Sequence, residues 1–565
     1  MVYDDKYQIV DGNMSNLYVG ARKRKNIRNQ IFILNGVINE AVQNKKINLD
    51  IEILDYKQCF DSMWIEETIN DLWEAGIVDD NLALIHKMNE EVKVAVKTPF
   101  GLTDRKVIEN IVMQGETFGP LCCSVQVDSF GKECLQEEKL LYSYKDEVGV
   151  PPLAMVDDLV CFSKCGVQSV LMNAFINAKT NFKKLQFGVS KCHKMHIGKD
   201  KVSCPDLKLD CWDVTNTEEI ETGQNKVDDE YAGEHTLETI ENEKYLGDLI
   251  SHDGKNTKNV QARRAKGTGI VDKILTRLES TVYGPYLFEV AITLRNSLFI
   301  NGILTNAEAW YGLKTEEVEQ LEQIDEMLIR KILEVGKGCP KEMLYLEMGI
   351  FPLRFTVMTR RLIFLHYILN EDKKSLIYRF LQAQVRNPSK NDWYLTVKED
   401  LEFLEIFLDF DDIKSLPEQS FKKFVNEQVE KKAFQYLQQL KGKHSKVDFI
   451  KHTGFNMQKY LLPENVYSVQ MTKFIFQAKT RMIDVRCNFK NKYTKEDRKC
   501  PFGCDFDDSQ EHLLLCPNLE EGEICEEILD YDDLFSSEIK KQLTVAMQLE
   551  KRVVKRKKME QEISQ

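Results

Sequence analysis

At 565 residues the chain has room for two to four domains, and its 43% apolar and 30% charged residues are those of an ordinary globular protein. A formal net charge of −13 excludes a surface coated in basic residues for nucleic acid, though not a local basic channel, because net charge is only a sum. No apolar run reaches the roughly 20 residues of a membrane span. The start MVYDDKYQIVDGN lacks the basic-then-apolar order of a secretory signal, so the fifteen cysteines read as reduced thiols and metal ligands in the nucleus or cytoplasm, not as disulfides of a secreted protein.

In chain order, GARKRKNIRNQIF comes first, with Arg22, Lys23, Arg24, Lys25 and Arg28 ahead of a helical stripe of Ile31, Leu34, Val37, Ile38 and Val42. Such a charge run is as readily a solvated helix start as a contact for a polyanion. INLDIEILDY alternates Ile47, Leu49, Ile51 and Ile53 with Asn48, Asp50 and Glu52, which predicts a strand with one buried face. Asp55 falls on the buried parity, where a carboxylate needs a partner and a cation is the natural one. MWIEETINDLWEAG predicts a helix ended by Gly76.

PPLAMVDDLVCFS places Asp157 and Asp158 side by side between two apolar runs. A tight hairpin prefers Asn-Gly or Asp-Gly there, adjacent carboxylates need a compensating cation, and a breach of local preference marks a candidate functional site. From about Cys204 to Lys244 the chain turns acidic without an apolar period, which predicts an exposed insertion over about residues 213–243. KYLGDLISHDG resumes a strand and turn. Beyond about Asn256 helices dominate, as in TEEVEQLEQIDEMLIRKIL with its stripe of Val318, Leu321, Ile324, Leu328 and Ile332.

RKCPFGCDFDDSQEHLLLCP spaces Cys500, Cys504, His512 and Cys516 as C-x3-C-x7-H-x3-C. Three sulfurs and an imidazole suit one structural, tetrahedral Zn²⁺, and Pro501 and Gly503 favour a tight knuckle. Cys487 and Cys525 are nearby spares. The terminal KRVVKRKK reads as a nuclear import signal, a nucleic-acid contact or a frayed basic helix end.

Six stretches, taken in order over about residues 15–255, resemble the reverse transcriptase of non-LTR (LINE-like) retrotransposons. ARKRKNIRNQIF is similar to the family's basic fingers motif, DYKQCFD to motif A, QGETFGPL to motif B, MVDD to motif C, LQFGVSKCHKMHIG to motif D and KYLGDLI to motif E. LTNAEAWYGLKTEEVEQLEQIDEMLIRKIL resembles the helical thumb and connector. The resemblance implies a right-hand polymerase of α+β class: a palm with a small antiparallel sheet, fingers and a helical thumb, then a mostly helical region with a zinc knuckle. The implied divisions are 1–255 for fingers and palm, 256–370 for thumb and connector, 371–485 helical, 486–520 the knuckle and 521–565 the tail.

It also implies an RNA-directed DNA polymerase that takes an RNA template, a DNA primer and dNTPs. Asp55, Asp157 and Asp158 would hold two Mg²⁺ ions. Phe60 would lie under the incoming sugar, Gln114 and Gly115 would shape the nucleotide pocket, and Lys191 would face the triphosphate. Arg22, Lys23, Arg24, Lys25 and Arg28 would face template or triphosphate. No endonuclease is expected in these residues. Three departures keep a second reading open: Met155 stands where the family has an aromatic residue, Gly119 where it has serine, and the earlier fingers motifs are missing. That reading is a decayed or domesticated nucleic-acid-binding protein without synthesis, and a third makes the helical half an interaction scaffold.

Overall fold

The computed structural model describes residues 25–563 apart from 58, 60–62, 91, 109–118, 165, 184, 199–204, 215–228, 282, 490–491 and 520–529. Helices and strands are mixed in the first half, and helices dominate after residue 256. No helix among the described residues is long and apolar enough to cross a membrane.

The first half is organised by one mixed sheet. β1 (Leu49–Asp55) is followed by α1 (Ile65–Glu74) and α2 (Gly119–Gln136), then by the hairpin β2 (Leu153–Met155) and β3 (Asp158–Lys164), then by α3 (Val167–Phe182) and β4 (His193–Ile197). β5 (Glu238–Thr239) completes the strand order β5-β4-β1-β3-β2. β4, β1, β3 and β2 are antiparallel neighbours, and β5 joins β4 in parallel. This is the split β-α-β-β-α-β arrangement, in which β3 slots between β1 and β2.

Sequence periodicity predicts one buried face for β1, but the structure buries both. Leu49, Ile51 and Ile53 pack with Val160, Phe162, Met195 and Ile197 against the basic-led helix Ile27–Gln43. Asp50 and Glu52, expected at the surface, are each 1% exposed because α3 covers their face. Asp50 meets His196 Nδ1 at 2.8 Å, and Glu52 accepts from Asn173 Nδ2 at 2.9 Å. Burial pushes the Glu52 carboxyl up to about 7. Asp50 and Glu52 are therefore buried with at least one polar partner each, as wholly unpaired polar groups in such a place would be costly.

The predicted helix before Gly76 forms, and Gly76 takes φ +95°, which ends it. Within the acidic stretch Lys208–Val214 pairs antiparallel with Asp229–Thr236, and Leu209 and Leu237 are buried in one cluster with α3 residues Met172 and Ile176. Three leucines, Leu207, Leu209 and Leu237, anchor it, too few to register as an apolar period. The strand pair Asn242–Tyr245 and Asp248–Ser251 follows.

The same core continues from Ile27–Gln43 into the helical half. Phe32 sits among Tyr311, Phe364, Phe380 and Trp393, with ring centroids 5.2–5.8 Å apart. Two buried Arg–Asp pairs brace the helices: Arg295 grips both oxygens of Asp325 at 2.6 Å, and Arg361 reaches Asp400 at 2.5 Å. Of the stripe predicted for Thr315–Leu333, Leu321, Leu328 and Ile332 are buried, and Val318 and Ile324 are half-buried.

Candidate carboxylate centre and metal cluster

β1 and β3 end side by side, and Asp55 is the register partner of Asp158. Directly opposed residues of an antiparallel pair project from the same face, so these two carboxylates share it. Asp157 precedes β3 in the two-residue turn Val156–Asp157 that joins it to β2, where Met155 pairs with Asp158. Val156 has φ +59° and Asp157 does not have positive φ, the pattern of a type II′-like turn. Glycine is usual at that first position, and a β-branched valine there is strained. The Tyr56 amide donates to the Asp157 carbonyl at 3.3 Å, tying the turn to the end of β1.

A strap formed by residues 186–192 crosses the same strand end. Lys57 N donates to Gln186 O at 2.8 Å and Gly188 N to Asp55 O at 2.8 Å, while Tyr56 stacks on Phe187 at 4.9 Å. A Cβ on Gly188 would lie 3.3 Å from Asp55 Oδ2, so the glycine permits the close approach. The strap brings Lys191 Nζ to 2.9 Å from Asp55 Oδ2. The ammonium is 71% exposed, and the hydrogen bond and charge of Asp55 raise its pKa, so it stays protonated. Burial, followed by the charge of Asp55, raises Asp157 against the help of its own backbone. Asp158 is pushed up to about 6 by burial and by Asp157 and Asp55. The end of β1, the start of β3 and the turn before it thus place three carboxylates and one ammonium at one end of two central strands, with more negative than positive charge among them.

The other site residues divide. Phe60, Gln114, Gly115, Arg22, Lys23 and Arg24 lie outside the described residues. Lys25 and Arg28, expected to face template or triphosphate, have partners within the chain. Lys25 Nζ lies 2.7 Å from Glu371, and Arg28 Nη1 lies 3.4 Å from Glu308 with its guanidinium over the rings of Phe364 and Tyr367. Gly119 opens α2, and Met155 flanks the turn.

Sequence reasoning missed the clamp made by Gln30. Its amide donates to the Ala154 carbonyl of β2 and accepts from the Tyr245 hydroxyl at 2.9 Å, linking three elements beside the Asp157 turn. Nothing in the local pattern of NQIF distinguishes that glutamine from a solvated one.

Cys500, Cys504, His512 and Cys516 come together, their ligand atoms all within 4.8 Å of one another. Cys516 Sγ lies 3.5 Å from Cys504 Sγ and 3.9 Å from Cys500 Sγ, close to the roughly 3.8 Å edge of a tetrahedron with Zn–S bonds of about 2.3 Å. Gly503 takes φ +80° in the knuckle. His512 Nε2 is buried without a hydrogen-bond partner, and burial with the neighbouring thiols pushes Cys516 up to about 12. An orphaned imidazole nitrogen and three crowded thiols fit a divalent zinc that replaces their protons.

The basic tail is no frayed end. Residues Ile539–Ile563 form a helix docked on the knuckle. Arg552 Nη1 donates to Cys516 O at 2.9 Å, Lys555 Nζ to Leu519 O at 2.7 Å, and Arg556 Nη1 to Asp508 Oδ1 at 2.9 Å.

No family model and no curated protein matches the chain. Among solved structures it is similar to telomerase from Candida tropicalis bound to a three-way-junction fragment of telomeric RNA (10% identity, TM-score 0.33, covering 73% of this chain) and to the apo form of that enzyme (12%, 0.33, 75%). It is also similar to the Candida albicans telomerase with the corresponding RNA fragment (10%, 0.29, 73%). The chain spans 53%, 60% and 54% of those proteins.

Proposed function

We propose that the chain is an RNA-directed DNA polymerase of retrotransposon origin, with Asp55, Asp157 and Asp158 as its catalytic carboxylates and the split β-α-β-β-α-β sheet as its palm. The observation that carries this reading is the placement of three carboxylates at one end of the central strands β1 and β3, on the register pair Asp55–Asp158 and its adjoining turn. Helix Ile27–Gln43 would belong to the fingers and the helices after residue 256 to the thumb.

The donor set fits Mg²⁺, a hard cation that takes carboxylate oxygens and substrate phosphates. Asp55 and Asp157 would hold it, with Asp158 assisting. When bound, Mg²⁺ supplies charge that activates a primer 3′-oxygen and stabilises the leaving pyrophosphate. The protein's own part is positional. The strained Val156 turn and the Gln30 clamp hold the Asp157 backbone in place. Lys191, charged and exposed, would turn from Asp55 to the triphosphate of a dNTP. RNA template and DNA primer are the polymeric partners under this reading.

The test is primer extension on an RNA template with wild-type protein and Asp157→Ala. Equal incorporation by the two proteins would sink the assignment. A second reading, nucleic-acid binding without synthesis, draws on the Lys191–Asp55 ion pair, which already neutralises one carboxylate. It expects no Mg²⁺-dependent dNTP binding, whereas the polymerase reading requires it.

A further inference from the structure

The strand pair Val92–Val94 and Lys106–Ile108 continues into the pair Lys97–Thr98 and Gly101–Leu102, forming one long hairpin. None of residues 92–107 is buried. The tip is nevertheless built. Pro99 occupies the turn, Thr98 Oγ1 donates to Gly101 O at 2.9 Å and accepts from Phe100 N at 3.2 Å, and Gly101 takes φ +125°. The Val96 amide donates to Thr103 Oγ1 at 2.9 Å. This scaffold holds Phe100 99% exposed, with Val96 at 61% and Leu102 at 73%.

Basic side chains stand among these apolar ones. Lys97 is the register partner of Leu102, and Lys93 that of Val107. Lys106 opens the return strand and Arg105 directly precedes it, and no ion pair is seen for these four cations among the described residues. Between Val92 and Ile108 four cations stand against one acid, Asp104, so the outer part of the hairpin is opposite in sign to a chain of net charge −13, while Glu90, Glu91 and Glu109 flank its base in sequence.

We propose that this hairpin is a contact surface for single-stranded nucleic acid, with Phe100 stacking on a base and Lys93, Lys97, Arg105 and Lys106 meeting phosphates. An exposed aromatic on a rigid turn within a basic surface is the combination that binds single strands without reading sequence. Apolar area that a monomer leaves uncovered marks an interaction site, and the four unpaired cations give the complementary partner a negative charge. This site deepens the polymerase reading by adding a place where template or displaced strand is held, apart from the carboxylates.

The experiment measures fluorescence anisotropy of labelled mixed-sequence 20-mers, RNA and DNA in parallel, with the full chain at two salt concentrations. Phe100→Ala weakens binding about tenfold on at least one of the two strands and leaves the salt slope unchanged. Phe100→Trp restores it. Gln at Lys93 and Lys97 lowers the salt slope by about 0.7 for each phosphate that loses its cation. Thermal midpoints stay unchanged, because nothing packs on these side chains. Wild-type affinity of Phe100→Ala for both strands overturns the proposal, as does an unchanged salt slope in the Gln variant. Primer extension by the wild type separates the two readings. Synthesis with normal Phe100→Ala binding defeats the hairpin site alone. No synthesis with weakened Phe100→Ala binding defeats the polymerase reading and leaves the hairpin site standing.

Discussion

Asp55 and Asp158 face each other across β1 and β3, and the Lys191 ammonium reaches only the first of them, at 2.9 Å. Asp158 is raised chiefly by burial and then by the charges of Asp157 and Asp55, which Lys191 offsets only in part.

Burial, with those charges behind it, gives stability a pH dependence. The native Asp158 carboxyl holds its proton up to about 6, against about 4 in the unfolded chain. Its stabilising effect is therefore complete below pH 4 and is lost as pH rises through 6. In Mg²⁺-free buffer, Asp158→Asn gains ~1–2 kcal/mol over wild type at pH 8, after discounting for solvent, and nothing at pH 4. Urea unfolding across that range measures it. A gain of the same size at both pH values would show that the carboxyl's charge is not the cause.

Adding Mg²⁺ should raise the thermal midpoint of the wild type by mass action, and should do so much less for Asp157→Asn. Differential scanning fluorimetry with graded MgCl₂ reads this directly. Identical curves for the two proteins would remove Asp157 from the cation site.

Lys191→Met leaves unfolding midpoints where they are, since the side chain is largely exposed. Under the proposed polymerase reading, incorporation of dNTP falls about tenfold or more, because the ammonium beside Asp55 is gone. Steady-state primer extension separates the two effects, and full activity in the variant would show that Lys191 serves no catalytic purpose.

Cys516→Ser should reduce bound zinc from one per chain to none and expose the Ile539–Ile563 helix to protease, because the Cys516 carbonyl and Asp508 anchor Arg552 and Arg556. Metal analysis with limited proteolysis checks it. A variant that still binds zinc stoichiometrically would mean a different ligand set.

Gly36→Ala separates propensity from packing. Alanine favours a helix interior by about 1 kcal/mol, yet a Cβ at position 36 would lie 2.4 Å from the Phe380 ring and 2.7 Å from the Tyr311 hydroxyl. Overpacking costs typically about 1–3 kcal/mol, so the net effect is destabilising by up to ~2 kcal/mol in urea unfolding. A stabilised variant would show that the aromatic nest around Phe32 can shift.

Local elements, and the chemistry available to them, were legible in the order of residues alone. The period of two marked β1, the helical stripes marked the second half, the Asp pair stood out as an awkward turn, and the C-x3-C-x7-H-x3-C spacing picked the four residues that converge. Each of these is a near-neighbour property, written in a few consecutive residues. Only the tertiary structure decided what lay across from them. It buried Asp50 and Glu52 under α3, tied Lys25 and Arg28 to Glu371 and Glu308, and docked the basic tail on the knuckle. It also set Gln30 against Ala154 and left Phe100 in the open. The physical reason is range. Periodicity reports the faces an element has, whereas burial and ion pairing depend on partners hundreds of residues away, which a single chain's pattern does not name.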